Sequence, residues 1–239
     1  MEFIIEGRHH AMPFTLSVEG PDDASYCLIP KDARLPKKYS QVFTNNESFQ
    51  MSFYFHLVMG ERVLASANSS LCVIRFDQGS FHSAGRARYR LDVEMTREGR
   101  LCVSAHNLDA KAVCRILYDS NIVNEQAVAA IQEDAERHKD YDLMIEDRFN
   151  FMRSVRSEVN GLHDEKWPMA KRRMTFSEKN AYRKCRKRVY KLIEPGPELI
   201  SEENLEELLQ ISDGELKKLE ELMERRADEA ARRLNGHKL

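Results

Sequence analysis

The sequence predicts an α+β protein in which an antiparallel β-sandwich is followed by an α-helical region. Up to about residue 120, Gly, Pro, Asn and Ser separate short runs rich in Val, Phe, Tyr and Leu. Beyond that point Glu, Lys, Arg, Ala and Leu dominate, and Gly and Pro become rare. Because the strands and the helices follow one another in series instead of alternating, a parallel doubly wound sheet is disfavoured.

Strands are expected wherever apolar and polar residues alternate between turn signals. The clearest is 87–96, which places Tyr89, Leu91, Val93 and Met95 on one face, and a Glu98-Gly99 turn leads from it into 101–106. The same reasoning predicts further strands over 14–19, 26–29, 39–43, 49–58, 63–65, 71–76 and 113–117. Eight or nine short strands joined by tight turns indicate a sandwich.

The predicted strand 49–58 is the most aromatic of the set. Its large apolar side chains all occupy odd positions and would share one face: Phe49, Met51, Phe53, Phe55 and Leu57. The opposite face would carry Gln50, Ser52, Tyr54 and His56. Since successive strand residues point to opposite sides, the aromatic face either closes a core or lines an apolar groove.

Helices are expected from about residue 121 onward. Asn124 is a candidate N-cap for a first helix whose apolar pattern continues to about Val159. Thr175-x-x-Glu178 is a capping-box pattern that opens a second helix running to Ile193. After the break at Pro195-Gly196-Pro197, a third helix is predicted from Ser201, and a fourth from Ser212-x-x-Glu215 to Asn235-Gly236.

The composition narrows the cellular setting. The net charge of −2 argues against a general polyanion binder. The five cysteines are scattered, odd in number and without a CxxC pair, which disfavours a disulfide framework or a zinc site and favours a reducing compartment. No apolar run approaches the roughly 20 residues of a membrane span. A cytosolic or nuclear setting is therefore expected, and of the two we predict the cytoplasm.

Catalytic motifs are missing from the sequence. It contains no Walker A, GxGxxG, GxSxG or HExxH pattern, and its eight histidines are dispersed. No pattern pairs a nucleophile with a base or places two carboxylates in one cleft. We therefore expect a protein that is not an enzyme, with no catalytic residues, no metal ligands and no cofactor in this chain.

The segment 171–191 is strongly basic. It holds ten Lys or Arg residues and one acidic residue, Glu178, with Phe176, Tyr182 and Tyr190 interleaved. Such a stripe can contact nucleic-acid phosphates. The segment 194–224 is about as acidic as 171–191 is basic, so charge pairing between neighbouring helices is the favoured explanation, and nucleic acid is the less favoured partner.

Several motifs in the β region resemble those of one known family. They are Pro13 with Leu16, Leu28-Ile29-Pro30-Lys31, Pro36-x-Lys38-x-Ser40-Gln41-Val42-Phe43, Gly60-Glu61-Arg62, Asn68 with Leu71, and Gly99-x-Leu101-x-Val103-Ser104-Ala105. Over residues 13–105 they resemble the peptide-binding domain of the DnaK-type seventy-kilodalton heat-shock chaperones. Asp134-Ala135-Glu136-Arg137 is similar to the opening of that family's helical lid.

The resemblance implies a domain organisation. Residues 1–11 would be the interdomain linker, 12–119 the β-sandwich peptide-binding subdomain, and 120–239 the α-helical lid subdomain. In the family the linker, here with Phe3 to Ile5 at its centre, follows an ATP-binding ATPase domain. No phosphate-binding loops precede it in this sequence, so we expect a fragment of a longer protein or a naturally truncated relative.

The function that the resemblance implies is peptide binding in the stress response. A short extended apolar segment of an unfolded protein would lie in a groove, with its backbone hydrogen-bonded and a helical lid over it. The implied partners are unfolded polypeptides, the upstream ATPase domain and co-chaperones, with self-association through the helices as a further expectation and no membrane. The residues carried over to the groove are Val18, Gly20, Pro21, Phe43, Thr44, Asn46, Phe53, Phe55 and Tyr89.

Some of these positions depart from the family's pattern. Phe53 replaces a β-branched aliphatic residue in the central pocket and should shrink or fill it. Asn46 replaces a small apolar residue that arches over the peptide, and Pro21 replaces a flexible residue on the other side. Ala84 stands where the family has an arginine that latches the lid. An interaction module with a closed groove is therefore the alternative.

Overall fold

The computed structural model describes residues 4–5, 8–9, 11–45, 48–77, 82–118 and 125–236. The described chain forms two compact units, Met1–Asp142 and Leu143–Leu239, and the division falls within a helix. Strands occupy the first part of the sequence and helices the second, which confirms the predicted α+β class. The boundary placed between 119 and 120 stays a prediction.

The strands of the described residues form three antiparallel sheets. Their bounds are β1 Ile4–Ile5, β2 Arg8–His9, β3 Leu16–Glu19, β4 Ser25–Ile29, β5 Lys37–Thr44, β6 Phe53–Met59, β7 Ser69–Phe76, β8 Arg88–Met95, β9 Leu101–Asn107 and β10 Ala112–Tyr118. One four-stranded sheet has the order β4-β3-β6-β7 and the other has the order β10-β9-β8-β5. The strands β1 and β2 form a separate pair.

The core of the first unit lies between the two larger sheets. The alternation predicted for β8 is confirmed, since Tyr89, Leu91, Val93 and Met95 are all buried. In β9 the buried side chains include Leu101, Val103 and Ala105, as predicted. Alternation therefore located the inward faces of these strands correctly, because one face of each strand packs against the opposite sheet.

Two predicted strands need correction. Residues 49–52 form a loop, and β6 begins only at Phe53. Phe49 has a φ of 59°, and its side chain is 65% exposed. Its N–H donates to the carbonyl of His82, so this part of the backbone does not hydrogen-bond to a neighbouring strand of the sheet. The segment 63–65 contributes an isolated bridge between Leu64 and Ala24 instead of a strand.

The helices of the chain follow the strands. Their bounds are α1 Glu125–Arg137, α2 Lys139–Gly161, α3 Trp167–Ala170, α4 Phe176–Ile193, α5 Gly196–Leu199, α6 Glu202–Gln210 and α7 Lys217–Gly236, with π-helical segments at Leu162–Lys166 and Ile211–Leu216. The predicted first helix is therefore interrupted at His138, between α1 and α2. Among the described residues, every helix is too short or too polar to cross a membrane.

Two predicted helix starts are confirmed and one is wrong. At Thr175 the capping box is complete, since its N–H donates to Glu178 Oε2 at 2.7 Å and its Oγ1 accepts from the Glu178 N–H at 3.2 Å. The Ser201 hydroxyl accepts from the Asn204 N–H at 3.2 Å. Ser212 opens no helix, because its hydroxyl donates to Glu158 at 2.9 Å and the helical backbone continues through it.

An arginine fixes α1 to the sandwich within the first unit. Arg62 Nη1 donates to Asp134 at 2.9 Å, and its Nε donates to Asp142 at 2.7 Å. The Arg62 side chain is only 9% exposed and that of Asp142 only 11%, so the Arg62–Asp142 ion pair is largely shielded from solvent. Val128 of α1 is buried in the sandwich core. The pairing and the apolar contact together hold α1 against the sheets.

We expect Arg62→Met to loosen α1. It would leave the Asp142 carboxylate buried without its cation, which costs about 3–5 kcal/mol. Hydrogen exchange of the amides in Glu125–Arg137 should then lose roughly a hundredfold or more in protection. The matched control is Arg137→Met, whose partner Glu133 is an exposed (i, i+4) carboxylate; its effect should stay within about 0.5 kcal/mol. Equal effects from the two substitutions would contradict the role given to Arg62.

The pairing should also depend on pH. The hydrogen bond from Arg62 lowers the pKa of Asp134. The stabilisation is therefore complete above the ordinary carboxyl pKa of about 4 and is lost as the pH falls through the lower value. Urea unfolding should show wild type more stable than Asp134→Asn near neutral pH, with the difference shrinking in acid. In an Arg62→Met background the pH dependence of the same substitution should be smaller, and what remains comes from His138 and Arg137, which also lower the pKa of Asp134. An undiminished pH dependence would contradict the role given to Arg62.

Candidate functional site

An open groove lies at one end of the sandwich, entirely within the first unit. Its volume is about 870 Å³, within the range of pockets that bind ligands. One wall is the segment 18–23 and the facing wall is the loop 49–52. The edge strand β5 borders it through Gln41, Phe43 and Thr44. The groove is therefore built from both sheets and from two of the loops that join their strands.

Aromatic rings form the floor of the groove. The Phe53 ring stacks on the Tyr89 ring with 3.9 Å between centroids and an angle of 4°. Phe55 contacts Phe53 and Phe43 edge-on, at 5.1 Å and 5.3 Å. Phe55 and Tyr89 are almost fully buried, whereas Phe43 and Phe53 are half-buried. The floor of the groove is thus formed by rings at the edge of the core, and the Phe53 ring lies between Tyr89 and the open groove.

The first wall is a short 3-10 turn at Pro21–Asp23. Gly20 precedes it, and the Tyr26 ring lies directly over this glycine. A Cβ added to Gly20 would lie 2.0 Å from a Tyr26 ring carbon, so only glycine fits beneath the ring in this position. The Asp23 carboxylate accepts from the Ser66 N–H at 2.9 Å and from the Ser66 hydroxyl. These contacts fix the wall to the neighbouring loop.

Asn45 organises the second wall. This side chain is 2% exposed, and its Oδ1 accepts from the N–H groups of Arg86 and Ala87 at 3.1 and 2.9 Å. Its Nδ2 donates to the carbonyl of Ser83 at 3.1 Å. The Ser48 hydroxyl adds a bond from the Ala84 N–H at 3.1 Å. One buried amide therefore ties the loop after β5 to the loop before β8.

Large apolar side chains stand exposed around the groove. The exposed fractions are 65% for Phe49, 72% for Met51, 52% for Tyr54 and 41% for Tyr26. All four border the groove. Apolar groups clustered at a concave surface indicate a binding site more strongly than apolar groups scattered singly. The arrangement can hold an apolar ligand between two fixed walls.

The structure places most of the predicted groove residues together. Val18, Gly20, Pro21, Phe43, Thr44, Phe53 and Phe55 line the groove, and Tyr89 lies beneath Phe53. Asn46 lies outside the described residues. The role of these residues in peptide binding stays a prediction. Sequence reasoning missed Asn45 and Tyr26 as site residues, and it placed Phe49 and Met51 on a strand instead of a wall.

A row of hydrogen-bonded polar side chains crosses the outer side of the sheet that contains β3, β6 and β7. His56 Nδ1 lies 2.6 Å from Glu19 Oε2, and its Nε2 lies 2.8 Å from Ser70 Oγ. These contacts fix the imidazole between two neighbouring strands. Among the described residues no group of three or more His, Cys, Asp or Glu side chains could hold a metal ion.

A comparison with protein families agrees with this architecture. The family model described as Hsp70 protein matches residues 9–225, which include most of both units. The match extends beyond the β region into the helices, where the sequence motifs are sparse. The chain therefore belongs to the Hsp70 family, and its β-sandwich followed by helices fits the DnaK-type substrate-binding domain of these chaperones.

Proposed function

We propose that the groove binds a short, extended, apolar segment of an unfolded polypeptide. The observation that carries the proposal is the set of exposed apolar side chains, Phe49, Met51, Tyr26 and Tyr54, around an aromatic floor. Leaving such groups in water is unfavourable by roughly 25 cal/mol for each Å². A ligand that covers them recovers this free energy, and membership of the Hsp70 family supports a polypeptide as that ligand.

The backbone of the ligand has a partner in β5. This strand lies at the edge of its sheet, hydrogen-bonded to β8 on one side only among the described strands. Its last residues, Gln41 to Thr44, border the groove. An extended peptide can pair with such an edge whatever its sequence, whereas side-chain pockets decide which residues it prefers. This division suits a protein that binds many different unfolded chains.

The depth of the groove is set by Phe53. Because its ring occupies the space above Tyr89, we propose that the central pocket takes a smaller apolar side chain than a β-branched residue at position 53 would allow. A narrow pocket favours Val or Ala in the ligand over Leu or Phe, since overpacking costs free energy. The same ring supports a second candidate function, an interaction module whose groove is filled by its own side chain.

By analogy with the family, we extend the proposal to the helical region, the linker and the partners of the domain. The helical region would act as a lid, and the segment from Phe3 to Ile5 would couple the groove to an ATPase domain. Co-chaperones would act through that domain. The five cysteines are free thiols, which suits a reducing compartment, and we propose the cytoplasm.

Shortening the Phe53 side chain should tighten peptide binding. In Phe53→Val the ring above Tyr89 is removed, and the space can hold a leucine, whose burial is worth about 1.5–3 kcal/mol. A fluorescein-labelled heptapeptide with three central leucines should then bind at least about tenfold more tightly by anisotropy. The matched control is Phe176→Val, which removes an 82% exposed phenylalanine from α4. Unchanged affinity in Phe53→Val, with the fold retained, would contradict the role given to Phe53, and binding by Phe53→Val without any binding by wild type would favour the closed-groove module.

Removing the Asn45 amide should weaken the same binding. In Asn45→Ala, three backbone groups of the loop before β8 lose their side-chain partner, at about 1–3 kcal/mol for each group left buried. The loosened wall should lower heptapeptide affinity at least about fivefold, chiefly through faster dissociation. Asn150→Ala changes an exposed asparagine of α2 and serves as the control. If Asn45→Ala lowers thermal stability but leaves the dissociation rate unchanged, Asn45 has no part in the groove.

A further inference from the structure

The second unit contains a pocket that the peptide-binding function leaves unused. It has a volume of about 650 Å³ and lies between α4 and the residues 163 and 167, which belong to the π-helical segment Leu162–Lys166 and to the start of α3. Its lining consists of aromatic rings and cations: His163, Trp167, Tyr182, Arg183, Arg186, Lys187 and Tyr190. This lining includes no carboxylate among the residues that the structure describes. A pocket of this composition suits a ligand that is both planar and negatively charged.

The rings of the pocket are packed against one another. Trp167 and Tyr182 stack with 4.7 Å between their centroids and an angle of 28°. The Tyr182 hydroxyl lies 3.0 Å from His163 Nδ1, and burial raises the pKa of this hydroxyl, which keeps it neutral. Tyr182 is buried, whereas Trp167 and Tyr190 are half-buried and leave ring surface accessible. The ring surface that remains accessible offers a place for a further flat group.

The cations of the pocket differ from Arg188 on the same helix. Arg188 is neutralised on one side of the helix by Glu207 and by Glu215, the latter at 3.0 Å. This contact supports the charge pairing expected between 171–191 and 194–224. Arg183, Arg186 and Lys187 form no ion pair with any residue in the described ranges of the chain. The helix therefore presents a charged surface to the pocket that its neighbours do not compensate.

Arg186 is the most constrained of the three. Its guanidinium carbon lies 5.5 Å from the centroid of the Tyr190 ring, and the Tyr190 hydroxyl donates to Asn160 at 2.5 Å. Within the described part of the chain, Arg186 Nε is buried without a hydrogen-bond acceptor. A buried donor left unpaired costs about 1–3 kcal/mol, which an incoming anion would recover. The ring beneath holds the guanidinium in place for that anion.

We propose that this pocket binds a nucleotide, with the phosphate on Arg183, Arg186 and Lys187 and the base stacked beside Trp167. Base–aromatic stacking is worth about 1–3 kcal/mol and tolerates any base. Phosphate is a strong acceptor for arginine. The nucleotide has two sources, a free mononucleotide or one residue of a single-stranded nucleic acid, and both present the same base and phosphate to the pocket.

Trp167 is the only tryptophan in the sequence, so its fluorescence reports on this pocket alone. The full chain is titrated with AMP, adenosine, ribose 5-phosphate, phenyl phosphate and a single-stranded adenine decanucleotide. AMP or the decanucleotide should quench Trp167 saturably, and adenosine and ribose 5-phosphate should each bind at least about tenfold more weakly than AMP. Saturation by both AMP and the decanucleotide assigns a mononucleotide site; saturation by the decanucleotide alone assigns a single-strand site, with affinity falling as salt rises.

The double variant Arg183→Gln with Lys187→Gln tests the cations. It should lower affinity for the quenching nucleotide at least about tenfold, because two charge-assisted contacts are lost. The control is Lys184→Gln with Lys191→Gln, which removes the same charge from exposed positions of α4 outside the pocket and should change affinity less than twofold. Absence of saturable quenching, equal losses in the two double variants, or tighter binding of phenyl phosphate than of any nucleotide would overturn the proposal.

Discussion

The stack of Phe53 on Tyr89 is the contact on which the proposed site depends. Phe53 belongs to β6 in one sheet and Tyr89 to β8 in the other, so their rings join the two sheets at the end where the groove opens. Phe43 lies opposite Tyr89 in the β5–β8 register and contacts Phe55 edge-on. The floor of the groove is therefore also the end of the core. The depth of the groove and the packing of the sandwich cannot change independently.

Structural features that depend on local periodicity or on a short motif could be predicted from the sequence. Alternation identified the inward faces of β8 and β9, and the Thr175-x-x-Glu178 pattern identified the start of α4. The family resemblance identified the fold and seven of the seventeen residues that line the groove. These signals are short-range or are shared by a whole family, so a single sequence displays them.

Other features depend on contacts between residues far apart in the sequence. The alternation of residues 49–58 continues through 49–52, but the bond from Phe49 to His82 takes that segment out of the sheet. Asn45 acts through residues 83–87, and Arg62 pairs with Asp134 and Asp142. No local pattern signals such partners. Ser212-x-x-Glu215 has the residues of a capping box, yet the continuous helical backbone leaves no N–H groups to cap.

The sequence also explained only some of the basic residues in the second unit. The pairing expected between the basic segment 171–191 and the acidic segment 194–224 accounts for Arg188, which contacts Glu207 and Glu215. It does not account for the cations around Trp167, which lie beside aromatic rings instead of carboxylates. Composition alone cannot separate these two groups, because both lie on one helix and differ only in the direction they face.

Methyl NMR of the ten methionines would test the peptide groove most directly. Met51 lines the groove and is 72% exposed, whereas Met12 in the sandwich core and Met152 in the helical core are almost fully buried. On titration with an apolar heptapeptide, the Met51 methyl resonance should shift and saturate together with binding, while those of Met12 and Met152 stay in place. Saturable binding of the peptide with an unmoved Met51 resonance would contradict the assignment of the groove.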